Sequence, residues 1–351
     1  MATSQHRIEE FDPATAADDD FRARWELDVV LTREQEPEDP ITPFDKYRQR
    51  MVDTPSYQRP KHWTVWDAER TRAIGLATLE LEYTESNRHL AWCWGGLLPE
   101  VRRRGIGTEL AGCIAEAATI DGRTILGVGS IEGTAGDDFA VALGFEKKAT
   151  ERKSRLAIGG LDRPMLEHWV ERAAERAADY ELVGFDDRCP DEFLEPYVAL
   201  YHVTNTAPRD DLDMEDEVMT PERWREREEK SLANGDRCWI LLARQRETGE
   251  LAGFTQLFFA PYSDDVAWQG WTAVHPDHRD KGLGRWLKAA NCLRLLDERP
   301  AVAYVDTWNA FSNAPMLGIN IEMGFELLRG YNEWQVPTER LASNVKERLG
   351  R

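Results

Sequence analysis

His275-Pro-Asp-His-Arg-Asp-Lys-Gly-Leu-Gly-Arg-Trp-Leu-Lys288 follows a hydrophobic, strand-like run and opens directly into a helix. Successive backbone N–H groups in a glycine-rich turn that leads into a helix N-terminus converge on phosphate oxygens. Gly282 and Gly284 would tolerate positive φ and present no Cβ to a ligand. Arg279 or Lys281 would offset the charge of a pyrophosphate. The stretch predicts an anion cradle, against the plainer reading of a basic loop at a helix start.

A weaker twin, Pro99-Glu-Val-Arg-Arg-Arg-Gly-Ile-Gly-Thr-Glu-Leu110, also follows a strand, with Arg102, Gly105 and Gly107 matching Arg279, Gly282 and Gly284. One Arg-x-x-Gly-x-Gly arises by chance in roughly one such chain in six. Two copies, each with Pro three residues before the Arg and an amphipathic helix after it, read as a repeat. Arg102 and Arg279 lie 177 positions apart, and Gly144-Phe145 and Gly324-Phe325 lie 180 apart. The halves therefore look like diverged copies of one domain, and 351 residues suit two domains of about 170 each. We expect a first domain over 1–160, closed by Gly159-Gly160, a linker helix over 161–179, a second domain over 180–338 and a helical tail over 339–351.

The formal charge of −20 speaks against nucleic acid or an acidic membrane as partner, since such binding needs basic patches. It is compatible with a cationic substrate and equally with carboxylates that only solvate helices. Cys93, Cys113, Cys189, Cys238 and Cys292 are odd in number and show no C-x-x-C spacing, which suits a reducing compartment. No run approaches the 18 or so apolar residues of a membrane helix, and the polar start lacks a signal peptide's apolar core. The expectation is a soluble, cytoplasmic protein.

The remaining pattern alternates short strands and helices. In the first half it predicts a strand over 6–11, helices over 16–33 and 44–52 around a helix-breaking acidic loop at 34–40, and strands over 62–66, 73–81 and 89–98. After the cradle come a helix over 108–120, a strand over 124–128, a flexible stretch at 132–136, a helix over 137–143 stopped by Gly144 and a strand over 152–158. The segment 163–178 carries Met165, Leu166, Trp169 and Val170 on one face, so it should pack against a domain. The second half repeats the order: strand 181–185, helices 191–203 and 221–233, strands 238–243, 251–259 and 266–274, helix 285–297, strand 302–307, helix 313–323 and closing strands through 336. Its acidic segment 204–217 reads either as a receiver for a cationic group or as a solvated, mobile loop.

Strand, Arg-x-x-Gly-x-Gly, helix, strand, then an Asn-bearing helix ending in Gly-Phe is similar to the order of the GNAT acyltransferases. The second half resembles that family more fully, through Asp306-Thr-Trp-Asn-Ala-Phe-Ser-Asn-Ala-Pro-Met-Leu-Gly-Ile-Asn-Ile-Glu-Met-Gly-Phe325. The whole resembles the tandem GNAT enzymes, of which mycothiol synthase is one type. The resemblance implies an α/β (α+β) architecture of two tandem GNAT folds, each a mixed, mostly antiparallel twisted sheet flanked by helices. It implies acetyl-CoA as cosubstrate, with Arg279, Asp280, Lys281, Gly282, Leu283, Gly284 and Arg285 holding the pyrophosphate. Trp271, Thr272, Ala273 and Val274 would lie beside the pantetheine and acetyl groups, Asn313 would contact CoA, and Asn309 would assist.

Many family members carry a Tyr four residues before the Gly-Phe as general acid toward the departing thiolate. That position is Asn320 here, and an amide does not readily supply the proton, so Tyr331 or a water stands as substitute. In the first half Arg102, Arg103, Arg104, Gly105, Ile106, Gly107 and Thr108 keep the cradle, but Gly133 and Ala140 replace the two asparagines. That half is expected to be degenerate.

The implied reaction is direct attack of a neutral amine, from a small molecule or a peptide, on the acetyl thioester, with a strand N–H polarising the carbonyl and a base removing a proton. No cysteine has a His partner apparent in sequence, which speaks against a thiol intermediate. Asp264, Asp265, Asp213, Glu215 and Glu217 are candidate bases, each with a surface carboxylate as its plainer reading. His275 and His278 lack a third ligand, so no metal is expected. Of thirteen tryptophans, Trp92 and Trp94 share a strand face and with Trp271 could line a pocket for an aromatic or other organic amine. Two readings compete: a non-catalytic acyl-CoA-binding or regulatory protein, and a tRNA-dependent aminoacyl transferase, which the −20 charge opposes.

Overall fold

Parallel neighbours need a crossover, and antiparallel ones need only a turn. Both appear in the same sequence in each half of the chain. The structure is a computed structural model that describes residues 6–350. In chain order it forms β1 (His6–Phe11), α1 (Asp18–Gln35), α2 (Phe44–Val52), β2 (Lys61–Asp67), β3 (Ala73–Glu80), β4 (Leu90–Leu97), α3 (Ile106–Ile120), β5 (Ile125–Ile131), α4 (Ala135–Ala142) and β6 (Glu146–Ala157). There follow α5 (Arg163–Arg176), β7 (Tyr180–Asp186), α6 (Asp191–Tyr201), α7 (Pro221–Ala233), β8 (Arg237–Gln245), β9 (Leu251–Phe259), β10 (Val266–Val274), α8 (Leu283–Glu298), β11 (Tyr304–Ala310), α9 (Ala314–Met323), β12 (Glu326–Pro337) and α10 (Thr338–Leu349). The chain is a mixed α/β protein whose strand pairs are mostly antiparallel.

The chain divides into two units that are not continuous in sequence: 1–150 with 209–216 and 331–351, and 151–208 with 217–330. In the first unit β1, β2, β3 and β4 pair antiparallel in succession. β4 pairs parallel with β5 across the α3 crossover, and β5 pairs antiparallel with residues 331–337 of β12. In the second unit β7, β8, β9 and β10 pair antiparallel, β10 pairs parallel with β11, and β11 pairs antiparallel with residues 151–157 of β6. The two sets of paired strands have the same plan, and each takes its last strand from sequence that lies beyond the other half's core. The closing strands expected before Val336 are one long strand, and its C-terminal part belongs to the first unit.

Burial follows from these faces. In the first unit Leu110, Ile114 and Ala118 of α3 and Leu341 and Val345 of α10 share a core with Leu76, Leu79 and Leu126 of the sheet. In the second, α5 and α8 bury Leu166, Trp169, Cys292 and Leu295 with Leu257 and Val305, and α6 and α7 bury Tyr197, Tyr201 and Trp224 with Leu242 and Phe254. The segment after Gly160 is thus a packed helix.

Two local expectations change. Residues 132–136 are not loose, because Gly133 N–H and Ser130 Oγ both donate to the Asp137 carboxylate at the start of α4. Part of the acidic segment is also fixed, in the first unit: Asn87 and Glu215 exchange hydrogen bonds, His89 meets Asp213 at 3.2 Å, and Gln335 bonds the Asp213 backbone. Among the described residues no helix is long and apolar enough to cross a membrane.

Candidate functional site

The cradles share one backbone. Asp280 (φ 64°) and Gly282 (φ 81°) are left-handed in the second unit, and Arg103 (φ 63°) and Gly105 (φ 88°) occupy the same places in the first. Gly282 and Gly105 are the N-caps of α8 and α3. Gly284 and Gly107 therefore fall inside the first helical turn and do not use positive φ, because each helix starts earlier than its apolar spacing suggests. Among the described residues no acceptor serves the amides of 280–285 or 103–108, while Trp286 N–H and Glu109 N–H resume the ladder onto Gly282 and Gly105. A row of unsatisfied amides at a helix start is able to receive an anion.

The cradle side chains do something other than meet charge. Arg279 Nε donates to Val274 O at 3.1 Å, and Arg102 Nε donates to Leu97 O at 2.9 Å. Each motif arginine thus ties its loop to the end of the strand before it. Arg279 also reaches Thr206, and Arg102 pairs bidentately with Glu34. Lys281 turns away to Tyr180 OH (2.6 Å), which bonds His278 Nδ1 (2.8 Å). Leu283 and Ile106, between the glycines, are buried anchors. Arg285 pairs with Glu322, Arg104 donates to Glu100 O, and Thr108 lies in the first turn of α3. The charge expected to meet pyrophosphate is largely engaged, which leaves the backbone as the principal donor.

Next to each cradle the sheet parts. β10 continues to Val274, but its pairing with β11 stops at Gln269↔Thr307. β4 continues to Leu97, but its pairing with β5 stops at Cys93↔Val128. Among the described residues, 270–274 and 94–97 consequently have no paired strand on that side. Of the two strands that lead to a cradle, β10 adds a bulge and β4 does not: Gly270 and Trp271 oppose the single residue Gln256 on β9. A Cβ on Gly270 would fall 2.5 Å from the Phe258 ring, so the bulge requires glycine. Buried polar side chains hold it: Gln269 Nε2 donates to Gln256 O (2.6 Å) and Thr255 Oγ1 (3.0 Å), Thr255 bonds Thr272 (2.7 Å), and Gln256 donates to Tyr197 OH (2.8 Å). Bulges re-aim a strand next to active sites. The sequence signal for this network was a pair of glutamines at inward strand positions.

Asn313 is the N-cap of α9, its Oδ1 accepting from Met316 N–H. Asn320 Nδ2 donates to Asn309 Oδ1 at 2.7 Å, and Lys288 Nζ donates to Asn320 Oδ1 at 2.6 Å. Lys288 was not foreseen. It lies on the buried stripe Leu287, Asn291, Cys292, Leu295 of α8, and burial pulls its ammonium down to about 7. Asn320 and Asn309 are brought together; Tyr331 belongs to the first unit, where it pairs with Ile131 and its hydroxyl donates to Glu36. Asp264 and Asp265 precede β10, roughly 30 Å of strand from its cradle end at about 3.3 Å per residue. Glu217 N–H is held by Asn205, and its carboxylate is 3.7 Å from Arg223.

In the first unit Phe139 faces Gly107, where a Cβ would come within 3.1 Å of its ring. Trp94 is exposed and donates to the Glu80 carboxylate, whose pKa is raised by burial. Trp92 covers Gly127, so the two tryptophans have different surroundings. Trp271 is exposed in the second unit.

A mixed sheet that parts beside a helix-capping row of free amides is suited to an extended ligand with an anionic end. Residues 198–314, which include the second cradle and its bulge, match the model of the acetyltransferase (GNAT) family. No curated protein sequence matches significantly. A tandem GNAT protein from the clavulanic acid biosynthesis pathway, solved without acetyl-CoA, has a TM-score of 0.77, 24% identity, and coverage of 95% of this chain and 98% of its own. A GCN5-related N-acetyltransferase from Sphaerobacter thermophilus gives 0.64 at 13% identity over 95% and 96%. Saccharomyces cerevisiae N-myristoyltransferase with bound myristoyl-CoA gives 0.57 at 11% over 95% and 79%. Residues 198–314 are thus similar to the acetyltransferase (GNAT) family, and the chain has the fold of a tandem GNAT protein.

Proposed function

We propose that the protein is an acetyl-CoA-dependent N-acetyltransferase whose second unit transfers the acetyl group to a primary amine by direct attack within a ternary complex. The observation that carries this reading is the bulge at Gly270 and Trp271, which coincides with the parting of β10 and β11 and the free amides of 280–285. The cradle amides hold pyrophosphate, Trp271, Thr272, Ala273 and Val274 flank the pantetheine and acetyl groups, and a strand N–H at the bulge polarises the thioester carbonyl. The amine forms the new C–N bond, the C–S bond breaks, and the thiolate leaves and is protonated. Burial raises the thiols of Cys93, Cys189 and Cys292 to about 12, and those of Cys113 and Cys238 are raised as well. This supports direct attack over a cysteine intermediate. The first unit, with an unbulged β4, Ala140 in place of Asn320 and Phe139 against Gly107, binds acyl-CoA at most and transfers nothing. The pathway of the tandem GNAT relative favours a small-molecule acceptor.

The test is calorimetry of acetyl-CoA against the wild type, Gly107→Trp and Gly284→Trp, followed by release of CoA thiol with a panel of primary amines. Gly284→Trp should abolish binding, or one of two binding events, with circular dichroism unchanged. If only Gly107→Trp does so, the roles of the units are reversed. If acetyl-CoA fails to bind the wild type, the cofactor reading falls, and binding without thiol release for any amine leaves a carrier protein in place of an enzyme.

A further inference from the structure

Lys288 poses a physical problem. Its side chain is buried, yet an ammonium taken out of water is costly unless it is paired. Among the described residues its one hydrogen bond is to Asn320 Oδ1, at 2.6 Å. The groups that face it are Asn320 from α9, the Phe325 ring at 5.2 Å and, on its own helix, the Cys292 thiol. None of these is a carboxylate. A leucine or methionine would fill the position at lower cost, so the amine itself needs a use.

Directionality supplies one. An ammonium only donates, so Asn320 must turn its oxygen to Lys288 and its N–H to the far side. That N–H meets Asn309 Oδ1 at 2.7 Å. Asn309 is therefore fixed in turn, with its own N–H as the outward end of the chain, and no acceptor serves that N–H among the described residues. Asn309 lies on β11 two positions beyond Thr307, the last residue paired with β10, and it is partly exposed. The three side chains form a relay of fixed polarity from a buried charge to the gap between the strands. A neutral amine, which can accept as well as donate, would release that polarity.

We propose that Lys288 is a positioning residue of the acyl-CoA slot: through Asn320 it holds the Asn309 carboxamide with its N–H directed into the gap between β10 and β11, where it donates to a carbonyl oxygen of the acyl-pantetheine arm. The inference rests on the acetyl-CoA reading above and adds a residue to it. It also makes ligand binding proton-linked, because a ligand that uses the Asn309 N–H favours the charged form of Lys288 and raises its pKa from about 7.

The experiment is calorimetric titration of the full chain with acetyl-CoA at about pH 6 and about pH 9, in pairs of buffers of different ionisation enthalpy so that proton uptake is read directly. For the wild type, affinity should fall about three- to tenfold between the two pH values beyond the change seen in Lys288→Met, the scale of one hydrogen bond, with proton uptake near pH 8. Lys288→Met should lose that uptake and bind at pH 6 as the wild type binds at pH 9. Asn309→Ala should lose the same uptake, and the double variant should be no weaker than either single one. If Lys288→Met does not fold, Asn309→Ala decides the matter alone, since retained proton uptake overturns the relay. Equal affinity and proton count in wild type and Lys288→Met, or additive losses in the double variant, overturn the inference and leave the acetyl-CoA reading standing. No binding to the wild type removes both.

Discussion

Replacing Lys288 by Met should change the sign of its effect on stability with pH. The folded chain releases the lysine proton at about 7 and the unfolded chain at 10.5. Between those values the unfolded state binds more protons, so wild-type stability rises with pH across the window and is flat below it. The full difference corresponds to about 5 kcal/mol of penalty on the charged form below pH 7. Against this, Lys288→Met leaves the buried Asn320 oxygen without its donor, a loss of about 1–3 kcal/mol. The variant should therefore be more stable than wild type by about 2–4 kcal/mol near pH 6 and less stable by about 1–3 kcal/mol near pH 10.5. Urea unfolding followed by tryptophan fluorescence at pH 6, 8 and 10 measures both ends. A difference that is constant with pH, or a variant less stable than wild type at pH 6, would refute the account of a buried, uncompensated ammonium.

Gly282→Ala and Gly105→Ala place a side chain at φ 81° and 88° with open space around the new Cβ, so the cost is backbone strain alone, about 1–2 kcal/mol each. Thermal melts should show similar losses for the two, whereas calorimetry should show weakened acetyl-CoA binding mainly for Gly282→Ala. Asp306 is buried and accepts two bonds from Arg155, at 2.6 and 2.8 Å, with Lys153 Nζ 3.8 Å away. Asp306→Asn should cost about 3–5 kcal/mol by leaving buried cations short of countercharge, and a urea midpoint within error of wild type would contradict this.

What could be read from the sequence was local. Left-handed residues and helix starts are set by a few neighbouring side chains, so the cradles and α2, α7, β9 and β10 are found where spacing and glycines place them. Lys288 was hidden because a lysine on a charged helix normally reads as solvated. The clue was its place on the stripe that runs through Leu287, Cys292 and Leu295. Tyr331 looked available to the second cradle because it follows Gly324-Phe325 closely in sequence, yet β12 continues into the first unit's sheet. Strand alternation states which faces are buried but not which edge the strand joins. The acidic segment misled for a related reason, since its anchors Asn87, His89 and Gln335 lie more than a hundred positions away.

The exchanged strands also bear on synthesis. β5 emerges early, but its antiparallel partner begins at Tyr331, opposite Ile131 and 200 residues later. At about 5–20 residues per second, the ribosome needs roughly 10–40 s to deliver it. Throughout that interval the nascent first sheet ends in an open β5 edge, a template for wrong pairing. The half made first can be finished only after the second half has been made.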